Sequence, residues 1–61
     1  MPIVTVTALK GRTVDQKRKL AKAITDALVE VYDAKAENVT VIIHDKEKED
    51  LAKAGVLFCD L

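Results

Sequence analysis

Two runs rich in β-branched residues flank one long amphipathic stretch, and that order leaves the chain few ways to fold. The first run, from Ile3 to Leu9, carries Ile3, Val4, Thr5, Val6 and Thr7 in succession, with no helix former before Ala8, and reads as a strand. The second, Val39-Thr40-Val41-Ile42-Ile43, is wholly β-branched and predicts another strand, its nearly continuous apolar character suiting burial on both faces. Between them, Lys10-Gly11-Arg12 reads as a turn. Thr13-Val14-Asp15-Gln16 then has the form of a capping box, a hydroxyl at the N-cap and an amide three residues later. Asp15 suits the positive end of the helix dipole. Leu20, Ile24, Leu28 and Val31 recur at helical spacing, widened by Ala21, Ala23, Ala27 and Tyr32, so the helix runs to about Asp33. Arg18, Lys22, Asp26 and Glu30 fall on the opposite, solvated face. Ala34 to Asn38 is a connector. A strand, a helix and a strand in this order make a β-α-β unit of the α+β class, with parallel strands and a right-handed crossover.

Little chain is left to cover that unit. Lys46 to Asp50 is a charged, solvated run. Ala52-Lys53-Ala54-Gly55 reads as a turn, and Val56-Leu57-Phe58-Cys59 as a short apolar tail, either a small C-terminal strand or one arm of a hairpin. The 61 residues form one domain, 1–61. Two strands and one helix cannot close a core, and a chain of this size buries only about 60% of its unfolded surface. Cys59 is the only cysteine, so no internal disulfide is available, and His44 is the only histidine, with no partner at metal-ligand spacing. Self-association is then the source of the missing burial. The tail from Val56 to Leu61 either lies on a neighbouring subunit, the reading preferred here, or folds back on its own helix.

Composition removes several function classes. Ten basic and ten acidic side chains cancel, so no cationic surplus exists to neutralise phosphates, and only Tyr32 and Phe58 could stack on bases. Nucleic acid is not an expected partner. No segment approaches the roughly 20 apolar residues of a membrane span. The start, Met1-Pro2-Ile3, lacks the charged region and apolar run of a signal peptide. With one unpaired cysteine, a cytoplasmic protein is expected.

Side chains with obvious chemistry are few. Asp45, Glu47, Glu49 and Asp50 are interleaved with Lys46, Lys48 and Lys53, as in a solvated loop. His44 is either a general base or a strand-end residue with one hydrogen bond. Cys59 has no nearby base and is expected to be a buried, inert thiol. Arg12 is either a surface charge or an anion clamp. Pro2 differs, because initiator methionine is normally removed before a small second residue. Removal leaves a secondary amine at the end of a strand. An α-amino group has an unperturbed pKa near 8, which an apolar pocket and nearby cations would lower, making the amine a general base. Many proteins, however, begin Met-Pro without consequence.

Pro2 is not isolated. Met-Pro before a β-branched strand, then Gly11-Arg12-Thr13, then a capped helix containing Gln16-Lys17, then Val39-Thr40-Val41-Ile42-Ile43, resembles the 4-oxalocrotonate tautomerase family of small-subunit tautomerases. The likeness resumes more weakly at Asp50-Leu51-Ala52-Lys53-Ala54-Gly55-Val56-Leu57 and covers essentially the whole chain. It implies the tautomerase fold, shared with macrophage migration inhibitory factor-like proteins, and a homohexamer built as a trimer of dimers with sites shared between subunits. It also implies an isomerase, a keto-enol tautomerase needing no cofactor and no metal. The Pro2 nitrogen would move a proton on a small 2-oxo or 2-hydroxydienoic carboxylic acid, and Arg12 would hold a substrate carboxylate bidentately.

The chain departs from the family pattern at two places. Typical members carry an arginine where this chain has Thr40, and a hydroxyl donates only a neutral hydrogen bond. Loss of one such donor costs about 100- to 1000-fold in rate. The pocket aromatic is replaced by Leu51, which keeps the site apolar. With Met1 attached, moreover, the Pro2 nitrogen is an amide and cannot act as a base. Two further readings stay open: a non-catalytic oligomeric homologue, and a hydratase or dehalogenase acting on an unsaturated acid.

Overall fold

A computed structural model describes all residues 1–61. Strand β1 spans Ile3–Leu9, helix α1 Val14–Tyr32 and strand β2 Thr40–Lys46. The helix begins where the capping box places it. The Thr13 hydroxyl accepts from the Gln16 N–H at 3.1 Å, and the Gln16 side chain accepts from the Thr13 N–H at 2.9 Å. The helix ends at Asp33, whose left-handed backbone (φ 56°) turns the Asp33 N–H onto the Leu28 carbonyl. Gly11, in the turn between β1 and α1, has φ 136°, a conformation that side-chain-bearing residues rarely adopt. A 3-10 turn, Ala36–Asn38, lies within the connector to β2.

The strands are parallel, as expected. They pair from Ile3 opposite Thr40 to Leu9 opposite Lys46. β2 therefore begins one residue later and ends three residues further on than its β-branched run suggested. His44, Asp45 and Lys46 are drawn into the ladder because β1 extends opposite them, and the pairing overrides their weak strand preference. Alternation then sorts the side chains. Val4 and Val6 of β1, with Val41 and Ile43 of β2, are half-buried on the face that α1 covers through Ala21, Ile24 and Leu28. Ile3, Thr5 and Thr7, with Ile42 and His44, occupy the other face, which nothing in the chain covers; Ile3 is 64% and Ile42 40% exposed.

The rest of the chain differs in detail from the sequence reading. After a 3-10 turn, Lys48–Asp50, a small antiparallel hairpin pairs β3 (Ala52–Lys53) with β4 (Val56–Leu57). Only Ala54 and Gly55 form its turn. Both have positive φ, 53° and 81°, as the two central residues of a type I′ hairpin turn require. Ala52 and Lys53, expected within the turn, are ladder residues, and Phe58–Asp60 is a 3-10 turn where strand was expected up to Cys59. Cys59 is exposed, contrary to the buried thiol expected, because no part of the chain covers the tail. The hairpin packs chiefly on the Lys48–Asp50 turn.

No residue of the chain is fully buried. Its accessible surface is 5005 Å², against about 3,900 Å² for a compact chain of this mass. Its radius of gyration is 14.7 Å, where roughly 10.5 Å is usual for this length. The β-α-β unit is thus well ordered locally but has no closed core of its own. No helix is long and apolar enough to cross a membrane.

Candidate active site

The ladder fixes where the sequence candidates fall. Pro2 precedes β1 at the end of the sheet where β2 begins, and the Thr40 N–H donates to the Pro2 carbonyl at 3.0 Å. Thr40 is half-buried, opposite Ile3 on the face of the sheet away from the helix. Pro2 and Thr40 are therefore brought together through the backbone. With Met1 in place, the Pro2 nitrogen belongs to the Met-Pro peptide bond.

Arg12 lies at the other end. β1 has seven residues, which at about 3.3 Å per residue separate its ends by roughly 20 Å. Leu51 also lies beyond the far end of β2, past Lys46, whose carbonyl accepts from the Lys10 N–H at 2.8 Å. The chain thus holds these candidates at opposite ends of the sheet and does not bring Pro2 together with Arg12 or Leu51.

A cleft opens at each end of the sheet. The cleft at the Pro2 end is lined by Met1, Pro2, Tyr32, Asp33, Lys35 and Asn38, among others. These residues meet because a β-α-β crossover between parallel strands returns the C-terminal end of its helix to the start of the second strand. At the Arg12 end, a more apolar cleft between α1 and the sheet is lined by Val6, Leu9, Arg12, Gln16, Leu20 and Ile43, with Lys17 and Asp45 beside them. Lys17 and Asp45 form an ion pair of 2.5 Å across that cleft, each side chain 32% exposed. Lys17 is thereby engaged by a carboxylate, whereas the Arg12 guanidinium has no ion-pair partner and is available to an anion. Leu51 and Thr40 line neither cleft.

His44 is exposed on the uncovered sheet face, opposite Thr7 and remote from both clefts. The acidic run is also apart from Pro2: Glu47 pairs with Lys10 at 3.3 Å, and Asp50 accepts from the Glu47 N–H. Lys35, Asn38 and Tyr32, which line the Pro2 cleft, were not among the candidates of the sequence reading. Their signal was topological, since the predicted helix end and parallel crossover together place those residues above the strand starts.

Pro2 thus stands just ahead of β1, in a cleft at the helix C-terminus, and Arg12 just after β1, with no ion-pair partner. The family model described as "Tautomerase enzyme" matches residues 2–60, and the chain belongs to that family of isomerases. It is 41% identical over 61 residues to the 2-hydroxymuconate tautomerase of Bacillus subtilis (strain 168), covering 100% of this chain and 98% of that protein. The crystal structure of YwhB, a homologue of 4-oxalocrotonate tautomerase, superposes with a TM-score of 0.93 at 40% identity, covering 98% of each chain. A heterohexameric 4-oxalocrotonate tautomerase from Chloroflexus aurantiacus superposes with a TM-score of 0.88 at 28% identity, covering 100% of this chain and 98% of that one.

Proposed function

We propose that the chain is a cofactor-independent keto-enol tautomerase that uses the Pro2 amine as its acid and base. The observation that carries this reading is the position of Pro2, at the head of β1 and open to a polar cleft, in a chain of the tautomerase family. Once Met1 is removed, Pro2 presents a secondary amine. In its neutral form that nitrogen takes the hydroxyl proton of a 2-hydroxydienoate. The oxygen lone pair then forms the 2-oxo group, and the diene electrons shift to a distal carbon. That carbon receives a proton from the prolinium, so atoms and charge balance with no external reactant. The substrate class is a small 2-oxo or 2-hydroxydienoic carboxylic acid, in keeping with the 2-hydroxymuconate tautomerase relative.

Arg12 serves as the carboxylate clamp. Because roughly 20 Å of β1 separates it from Pro2, the clamp reaches Pro2 from a neighbouring copy. Thr40 and Leu51 line neither cleft of the single chain, and we assign them a neutral donor and an apolar wall only in the assembled protein. Assembly follows from the uncovered sheet face and the absence of a core, and a homohexamer, a trimer of dimers, is the form we assign. Protein with its N-terminus verified by intact mass, assayed on 2-hydroxymuconate beside Pro2→Ala, tests the reading. Turnover by the Met-free protein and its loss in Pro2→Ala are expected; equal rates for the two would overturn the role of Pro2.

A further inference from the structure

The Pro2 cleft contains a cation that the sequence reading did not assign. Lys35 follows the left-handed cap of α1 and lines the cleft together with Pro2, Tyr32, Asp33 and Asn38. It is the only lysine or arginine among the residues lining that cleft. Lys35 makes no ion pair, in common with Arg12, Lys19, Lys46, Lys48 and Lys53 and unlike Lys10, Lys17, Arg18 and Lys22, and it alone of these free cations lines the Pro2 cleft. Asp33, although two residues away and in the same cleft, does not engage it.

We infer that Lys35 is an anion-binding residue of the Pro2 site. It holds a carboxylate or developing enolate oxygen of the substrate beside the Pro2 nitrogen, the electrostatic part that the Thr40 hydroxyl cannot supply. This inference rests on the reading of Pro2 as the reacting amine, but its anion site is testable without turnover. The cleft is otherwise poor for an anion: the last carbonyls of α1 point toward it, and Asp33 adds a negative charge. Lys35 is the positive charge that offsets these, since the Pro2 amine is neutral when it acts as the base. Asn38, whose N–H donates to the Lys35 carbonyl at 2.9 Å, helps fix the turn that presents the lysine. The arrangement favours a substrate with a carboxylate close to the reacting enol, and a dicarboxylate whose far end reaches the Arg12 of a neighbouring copy gains a second anchor.

The test is calorimetric titration of the Met-free protein with cis,cis-muconate, a dicarboxylate without the enol hydroxyl, in wild type, Lys35→Gln, Lys35→Arg and the solvent-face control Lys22→Gln. Lys35→Gln is expected to weaken binding about tenfold, Lys35→Arg to stay within about threefold, and Lys22→Gln to match wild type. In the same preparations, the rising limb of kcat/KM for 2-hydroxymuconate is expected to move to higher pH in Lys35→Gln, because removing a neighbouring cation favours the protonated amine. Unchanged muconate affinity in Lys35→Gln, or no muconate binding by wild type, overturns the inference. Binding that depends on Lys35 in protein with no turnover supports the anion site and counts against proton transfer by Pro2.

Discussion

The uncovered face of the sheet makes a quantitative demand on the molecule. Ile42 sits at its centre, in the middle of β2, paired with Thr5 and flanked on the same face by Thr40 and His44. Fully burying an isoleucine side chain stabilises by about 1.5–3 kcal/mol. A carboxylate placed in a covered, unpaired position costs several kcal/mol more. A domain of this length has a total stability of only about 3–9 kcal/mol. Ile42→Glu should therefore remove most or all of the folding free energy if the face is covered by another copy, and little if it faces water, since Ile42 is already 40% exposed in the single chain. Sedimentation velocity and far-UV circular dichroism across a hundredfold range of protein concentration separate the two cases. The wild type should be a folded oligomer whose melting temperature rises with concentration. Ile42→Glu should be largely unfolded, or folded only at the highest concentrations. A folded monomeric wild type with a concentration-independent melting temperature would refute the argument, as would an Ile42→Glu protein that melts like wild type.

Thr13→Ala removes the hydroxyl that caps α1 and should cost about 1 kcal/mol, read from urea denaturation at fixed protein concentration; a change below a few tenths would mean that the cap is redundant. Ala54 holds a left-handed conformation that disfavours alanine, so Ala54→Asn should stabilise by roughly 0.5–1 kcal/mol, and a loss of stability would show that the turn is not of type I′. Arg12→Ala should raise KM for a carboxylate substrate roughly ten- to a hundredfold while the circular dichroism spectrum stays unchanged; an unaltered KM would remove the clamp role.

What the sequence could and could not convey follows from the range of the forces involved. The start of α1 was readable because a capping box is a local device, complete within Thr13 to Gln16. β1 was readable because its β-branched run, Ile3 to Thr7, fills most of its ladder. β2 was misplaced at its far end because His44, Asp45 and Lys46 are strand residues only by virtue of the partner strand. The β3–β4 turn was drawn too long for a similar reason, since Ala54 carries no signature of the backbone it adopts. At the site, Pro2, Arg12, Thr40 and Leu51 were singled out by motif, but motif did not show that they fall at opposite ends of one sheet. Lys35 was not among the candidates because its place beside Pro2 arises only when a crossover carries the helix end back over the strand start.

The length of β1 has a genetic consequence. When the amine and the clamp of one site belong to different chains, a damaged chain spoils a site that it does not own, so a mixed population is poisoned beyond the share of its defective members. The converse also holds: Pro2→Ala chains, inactive alone, and Arg12→Ala chains, impaired in substrate binding, assembled in equal numbers would rebuild roughly one intact site in four between them. Activity in such a protein is a property of the company that each chain keeps.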